Sequence, residues 1–427
     1  MINGIYKQFV ERILKVVPSD RVLHDELSLL AFGTDASFYR LLPKVVVKAR
    51  NEEDIVAILA AAHDLNIPVT FRAAGTSLSG QSISDSVLVI VSHGWDKYQI
   101  LNDAKQIRLQ VGIRGIRANQ YLAKYGRKIG PDPASTDSAM IGGIIANNAS
   151  GMSCGTHENS YRTIADARII LADGTILDTG DKESVMSFRK THKDMLDKSE
   201  NISRKISANP ALKEKIVKKH SIKNTSGYGL NTFVDYSDGI DIIKHIIVGS
   251  EGTLAFLSDV TLNTVINPQF KATSLIIFPS IQIACEAVQV LRHEPVAAVE
   301  LLDRQSLKSV ESAPGVPPFI KGLPEGCCAL LVETHTQTEE ELTRNVDEIT
   351  ESIKHIETTL PFIFTRDLKE ISAFWKIRQE ALPTVAGLRK TGTTAVIEDV
   401  CFPVDSLAKA VADLREVLHR NHYDDAG

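Results

Sequence analysis

The stretch Gly130 to Gly151, GPDPASTDSAMIGGIIANNASG, sets the tightest limits on what this chain can fold into. It holds too much Gly, Pro, Asn, Ser and Asp for an ordinary core segment. Pro131 and Pro133 stiffen its approach and withhold two backbone donors. Ser135, Thr136 and Ser138 suit a helix start as capping hydroxyls. The apolar run that follows, Met140, Ile141, Ile144 and Ile145, is split by Gly142 and Gly143. Each of those glycines costs a helix roughly 1 kcal/mol against alanine. A chain that carries that cost needs a close approach, by a ligand or by another segment. Asn147, Asn148, Ser150 and Gly151 then present polar groups. Taken alone, the stretch fits a tight packing corner with a helix cap as well as it fits a ligand site.

A second segment changes the balance. Phe71 to Gln81 reads FRAAGTSLSGQ, directly after the strand-like Pro68 to Phe71. Its small residues, hydroxyls and basic Arg72 make a loop whose N–H groups can converge on phosphate oxygens. No Gly-Lys-Ser/Thr follows, so it is not a Walker loop. The three spaced glycines of the dinucleotide fingerprint are absent as well, and Gly227-Tyr228-Gly229 is too short to supply them.

These two segments, with GSEGTLAFLSDVTL at Gly249 to Leu262, resemble in order and separation the FAD-linked oxidases of the vanillyl-alcohol oxidase type. The resemblance is strongest to the branch of D-lactate, glycolate and D-2-hydroxyglutarate dehydrogenases. Gly155-Thr156-His157-Glu158-Asn159 and Tyr161-Arg162-Thr163 look most like members fused to a C-terminal iron–sulfur domain. The resemblance implies an α+β chain: a two-subdomain FAD-binding domain of the p-cresol methylhydroxylase (PCMH) type, then a ferredoxin-like α+β cap domain, incomplete here. The expected divisions are an N-terminal helical segment at 1–42, the FAD domain at 43–267 and the cap at 268–427. Within the FAD domain they are subdomains of about 43–100 and 101–267, with a helical insertion at 181–220.

It also implies roles. Arg72, Gly75, Thr76, Ser77, Leu78, Ser79, Gly80 and Gln81 map to the pyrophosphate loop. Pro131, Asp132, Ser135, Gly142, Gly143, Asn147, Ser150 and Gly151 line the flavin and ribityl side, and Glu251, Gly252 and Thr253 the adenine end. Glu251 reads equally as a solvated turn carboxylate. Arg378, before Leu382-Pro383, matches the arginine that pairs with the substrate carboxylate, and Lys390 is a weaker candidate. The implied reaction passes a hydride from C2 of a D-2-hydroxy acid, D-lactate or glycolate in kind, to flavin N5, and the electrons to a further acceptor: a quinone, an iron–sulfur centre or an electron-transfer protein. The first loop has no histidine, so the FAD is expected to be noncovalent, with Cys154 read as a small buried cysteine. The base and divalent metal come in the family from a G-H-x-x-D-G-N-x-H segment, expected soon after Gly427, and no metal ligand is read in these residues. His220, His245 and His355 read as surface residues. A flavin reductase of the cell-wall precursor type and a non-catalytic flavin subunit docking a redox partner stay open.

The rest of the chain agrees with a soluble two-domain protein. Net charge is −5, 43% of residues are hydrophobic, and no basic stripe points to nucleic acid. The cysteines are few and form no C-x-x-C pair, which fits a cytoplasmic setting; peripheral membrane association and a homodimer stay open. Ile5 to Val17 reads as an amphipathic helix and Ser28 to Leu42 as a loop. Pro43–Ala49, a helix capped by Asn51, and Pro68–Arg72 read as a strand–helix–strand unit with the two strands paired in parallel. Val87 to Val91 reads as a buried strand, Arg114 to Tyr125 as a helix, and Arg168–Leu171 with Thr175–Leu177 as a hairpin. Lysine-rich 181–220 reads as a surface insertion. Beyond Pro268, strands at Thr273–Phe278, Ala297–Leu302, Cys328–Glu333 and Phe362–Thr365 alternate with helices. They suggest an antiparallel sheet covered by helices on one face.

Overall fold

The β-branched runs of the first 91 residues are buried on both faces, as a parallel sheet requires. In the computed structural model, residues 4–313, 315–388, 392–393 and 401–423 are described, apart from the side chains at 380–383 and 385–388. The chain divides into two units, Met1–Asn267 and Pro268–Gly427. In the first, β1 (Val22–Leu23), β2 (Val45–Ala49), β3 (Val69–Arg72) and β4 (Val87–Val91) form a sheet of order β1-β2-β4-β3. The last three strands are parallel and β1 is antiparallel. Helices α1 (Gly4–Ile13) and α3 (Glu52–Asp64) cover one face through Phe9, Ile13, Ile55 and Ile58, against Val45, Val47, Val87 and Val89. The other face packs Val46 and Leu88 against Leu29 and Phe32. Leu29 belongs to α2 (Glu26–Ala31), capped by Asp25, so part of the stretch expected as a loop is helical.

The expected pairing of β2 with β3 is corrected: β4 lies between them. Every residue of β4 is buried, whereas three of the four in β3 are partly exposed. The fully apolar strand takes the centre and leaves the mixed one at the edge.

A second sheet, all antiparallel, follows. It joins β5 (Tyr98–Leu101), β6 (Gln106–Gln110), β10 (Phe256–Ile266), β8 (Ile164–Ile170) and β9 (Ile176–Asp178), while β7 (Arg127–Ile129) pairs with the far end of β10. Helices α4 (Gly115–Leu122), α5 (Ile141–Asn147) and α6 (Ser160–Thr163) lie on it. Gly126, in the left-handed region, ends the helical run after α4. Helices α7 (Lys182–Thr191), α8 (Lys193–Ser207) and α9 (Pro210–His220) occupy the presumed insertion. They are more than a surface layer, because Phe188 and Leu196 enter the sheet's core. Ile206 and Ile216 pack on Phe233 of α10 (Thr232–Asp235) and Ile242 of α11 (Gly239–Ile246).

In the second unit, β11 (Phe270–Phe278), β13 (Cys328–Thr336) and β12 (Ala298–Leu302) form an antiparallel sheet in that order. Helices cover both faces rather than one. α12 (Ile281–Leu291) and α14 (Glu339–Ile353) pack on Ile276, Phe278, Leu330 and Val332. α13 (Arg304–Val310) and α15 (Leu368–Leu388) pack on Leu275, Ile277, Ala329 and Leu331. A further helix, α16 (Leu407–Arg420), follows. Phe362–Thr365, expected as a strand, makes a single bridge from Thr365 to Thr273. Pro361 withholds a ladder donor there, while Phe362 and Phe364 still pack on the core.

Candidate functional site

Arg72 closes β3 with its side chain turned inward, 7% exposed. Nε donates to the Ser82 carbonyl at 2.7 Å, but Nη2 is buried without a hydrogen-bond partner. From Ala73 to Ser82 the chain forms neither helix nor strand. Asp35 braces this loop, accepting from the Ser82 hydroxyl at 2.7 Å, and the Ala36 N–H donates to the Gly75 carbonyl at 3.0 Å. The Ser77 hydroxyl donates to the Gln81 side chain and accepts from Ser79 N–H at 3.4 Å. The N–H groups of Gly75, Thr76, Ser77, Leu78 and Gly80 meet no protein acceptor among the described residues. A buried guanidinium with a spare donor, beside a loop of unused N–H groups, is suited to an anion.

The second stretch forms α5 and the turns around it. The capping expected of Ser135, Thr136 and Ser138 is corrected: the N-cap is Met140, with no side-chain bond. The helix needs no hydroxyl there because Ile141 N–H and Gly142 N–H donate to the carbonyls of Ile113 and Val111. The two glycines differ in kind. A Cβ on Gly142 would stand 2.9 Å from Val111 Cβ, so that glycine serves packing. A Cβ on Gly143 would meet nothing nearer than Ala73 Cβ at 3.9 Å, and its N–H has no protein acceptor among the described residues. Gly143 therefore faces open space beside the Arg72 loop. Asp132 spends its carboxylate on the backbone N–H groups of Gly151, Ser153 and Cys154, at 3.0 to 3.2 Å. Pro131 is buried, and the Ser135 carbonyl accepts from Ser138 and Ala139.

Glu251 is not a solvated turn carboxylate. It sits at φ +53°, donates its N–H to the Ala146 carbonyl and accepts from Asn147 Nδ2 at 2.7 Å. Burial raises its pKa, which the bonds from Asn147 and Gln81 only partly offset. The turn of Glu251, Gly252 and Thr253 is thus tied to both glycine-rich segments. The Thr253 hydroxyl and Tyr228 hydroxyl lie 2.8 Å apart, which brings the Thr225–Leu230 turn to the same place. By sequence alone that turn has no site role, since Gly227-Tyr228-Gly229 is too short for a dinucleotide fingerprint. It helps line a polar cavity with Asn148, Ser150, Arg162, His220 and Asn224. The run Lys223-Asn224-Thr225-Ser226 before two glycines repeats the make-up of the Arg72 loop and was the signal that could have found it. His245, read as a surface residue, is 4% exposed, stacked on Tyr236 and bonded through Nδ1 to the Asp241 carbonyl.

In the second unit, Arg378 lies on α15 and its Nε donates to Glu300 Oε2 of β12 at 2.8 Å. It is an ion-paired arginine rather than a free surface one. Lys390 lies outside the described residues. Among the described residues, no group of three or more His, Cys, Asp or Glu is placed to hold a metal ion. No helix among them is long and apolar enough to cross a membrane.

Comparisons with known proteins point the same way. A family described as FAD binding domain matches residues 43–180, and one described as FAD linked oxidases, C-terminal domain, matches 267–424. The D-2-hydroxyglutarate dehydrogenase of Haemophilus influenzae is 26% identical over 92% of this chain and 40% of its own length. The mitochondrial D-lactate dehydrogenase (cytochrome) of Arabidopsis thaliana is 23% identical over 98% of this chain and 65% of its own length. Glycolate oxidase subunit GlcD of Escherichia coli is 24% identical over 86% and 63%. The chain thus spans 40% to 65% of the length of these relatives. Among solved structures, alkyldihydroxyacetonephosphate synthase aligns with a TM-score of 0.68 at 15% identity, covering 97% of this chain and 75% of that one. p-Cresol methylhydroxylase with substrate bound aligns at 0.62 and 13% identity, covering 90% and 72%. These two likenesses show the fold.

Proposed function

This chain carries the FAD binding domain and the C-terminal domain of the FAD linked oxidases, and on that premise we propose that it binds FAD without a covalent bond and oxidises a D-2-hydroxy acid, D-lactate or glycolate in kind. What carries the proposal is the unmatched donor set at the end of β3. Buried Arg72 Nη2 and the idle N–H groups of the loop call for an anion with several oxygens, and a dinucleotide pyrophosphate is one. Arg72 and the backbone from Gly75 to Gln81 hold the pyrophosphate. The open face of Gly143, with its spare N–H, borders the flavin side. Asp132 holds its turn in shape from behind, and Glu251 to Thr253 close the adenine end by joining both segments. The Cys154 thiol, 2% exposed and pushed up to about 12 by burial and by Asp132, stays protonated at neutral pH and makes a poor partner for a covalent flavin bond.

FAD, when bound, supplies the acceptor for the hydride that leaves substrate C2. Arg378 holds the substrate carboxylate through charge-assisted hydrogen bonds, which fixes where C2 can sit. Electrons pass on to a separate acceptor, and a cytoplasmic setting fits the unpaired cysteines. The test is anaerobic: the FAD-loaded protein is mixed with D-lactate, glycolate or D-2-hydroxyglutarate and the flavin's visible absorbance is followed. Because the base is expected from the histidine-bearing segment after Gly427, residues 1–427 should take up FAD but bleach slowly or not at all, and a protein that includes that segment should be bleached quickly by one of the acids. Failure to take up FAD ends the cofactor proposal, and FAD uptake without bleaching by any of the three acids in the longer protein ends the substrate proposal.

A further inference from the structure

Glu333 is a charged group in the middle of a core strand. It lies on β13, the central strand of the second sheet, and is 2% exposed. A buried carboxylate is costly unless it is paired and bonded. Here Trp375 Nε1 donates to Oε2 at 2.6 Å and the Thr273 hydroxyl donates to the same oxygen at 3.0 Å. Lys271 Nζ stands 3.5 Å from Oε1, with His335 Nδ1 at 3.9 Å. The partners come from β11, from β13 itself and from α15.

Trp375 and Arg378 are three residues apart on α15 and so share one helix face. The sheet meets them with a matching pair. Glu300 of β12 stands opposite Leu331, two residues before Glu333, so the two carboxylates project from the same side of neighbouring strands. Glu333 takes the indole N–H and Glu300 takes Arg378 Nε. Packing alone would need neither charge, since Leu275, Ile277, Leu302, Ala329 and Leu331 already give this side of the sheet an apolar surface for α13 and α15. Two directed bonds fix the rotation and the height of α15 where hydrophobic contact would leave both loose.

We propose that Glu333 and Glu300 are positioning residues, which hold Trp375 and Arg378 at one register of α15 on the sheet and thereby aim the Arg378 guanidinium. The functional half of this rests on the reading that Arg378 meets the substrate carboxylate. Trp375 and Glu333 act through Arg378 and touch no reacting atom.

The experiment uses the full chain labelled with ¹⁵N at Arg and Trp, as wild type and as Glu333→Gln, Trp375→Phe and Glu300→Gln. Wild type should show a downfield Trp375 indole N–H and a slowly exchanging Arg378 Nε–H. Trp375→Phe leaves Glu300 untouched, yet it should speed exchange of the Arg378 Nε–H roughly tenfold, the mark of a loosened local structure. The backbone N–H of Arg304, buried on α13 in the same unit, reports whether that unit is folded in each variant, and Trp95 does so for the other unit. An Arg378 resonance unmoved in both Trp375→Phe and Glu333→Gln overturns the positioning role. Kinetics on the acid that bleaches the flavin separate the two levels. Glu300→Gln and Trp375→Phe should raise KM several-fold with little change in kcat, while Arg378→Ala raises KM far more. If Arg378→Ala leaves KM unchanged, the substrate reading fails and the exchange data still decide positioning. If Arg378→Ala raises KM but the other two do not, positioning fails and the substrate reading stands.

Discussion

The end of β3 and the α15 side of the second sheet are both polar and buried, in opposite ways. At the first, Arg72 Nη2 has no partner and a run of loop N–H groups meets no acceptor among the described residues. At the second, Glu333 and Arg378 are each answered by a group of the chain. Their carboxylates differ likewise. Glu251, with amide donors and no cation, has its pKa raised by burial. For Glu333 burial also pushes upward, but His335, Lys271, Trp375 and Thr273 outweigh it and hold the value at about 2. An unanswered guanidinium donor beside a run of idle loop N–H groups suits a guest, whereas the bonds of Glu333 and Glu300 to α15 make a frame.

The sharpest way to break this contrast is the adjacent glycine pair. Gly143→Val should all but abolish FAD uptake, because the side chain fills the open face, and should leave the urea midpoint near wild type. Gly142→Ala should instead cost about 1–3 kcal/mol of stability through the 2.9 Å clash with Val111. Equal behaviour of the two in flavin occupancy and urea melts would dissolve the distinction between guest site and packing. Next in size, Arg378→Ala should lower kcat/KM by ~2–4 kcal/mol of transition-state binding, as for a lost charge-assisted pair.

Acid should separate the two carboxylates. The pKa of Glu333 is depressed in the folded state, so its contribution is complete above the unfolded value near 4.5 and is lost as pH falls towards 2. A shift of that size is worth about 3 kcal/mol at most. Urea melts between those pH values should show wild type losing stability faster than Glu333→Gln. Glu251 has the opposite sign: its raised pKa favours the protonated form, so its contribution is present at low pH and lost as pH rises past 4.5. Glu251→Gln should flatten that slope. Arg72→Met should weaken FAD by about 1.5–3 kcal/mol, the range for hydrogen bonds to charged groups, measured by flavin fluorescence on titration. Smallest, Tyr228→Phe loses one bond to Thr253 and should weaken FAD by about 1 kcal/mol, with no change in melting.

Much of this was legible because local chemistry decides it. The Asn51 cap and the Gly126 stop depend on nearest neighbours, and they formed as the residues suggested. What was missed depends on distant partners. No neighbour of Met140 reveals that carbonyls of Val111 and Ile113 satisfy the first N–H groups of α5. The central place of β4 follows from a comparison of its burial with that of β3, which only the folded sheet makes visible. Phe362 and Phe364 carry strand-like side chains, but Pro361 spoils the ladder they would join. The Thr225–Leu230 turn became part of the site only through the Tyr228–Thr253 contact across the fold. Lys271, Glu333 and Trp375 are scattered over a hundred residues, and nothing in the sequence joins them before β11, β13 and α15 do.

The placement of β10 has a consequence for how the first unit is made. β10 pairs with β6, β7 and β8, so it stitches together strands begun some 90 to 160 residues earlier. Until residue 266 has left the ribosome, three strands lack their common neighbour and keep open edges, the kind of surface that aggregates. Closure over such sequence separations is slow. The turn of Glu251 to Thr253 leads directly into β10, so the last strand to arrive carries the piece that ties both glycine-rich segments together. A nascent first unit therefore gains its sheet and its candidate ligand site in one late event, and the yield of folded protein should depend on how well chaperones or early flavin guard that interval.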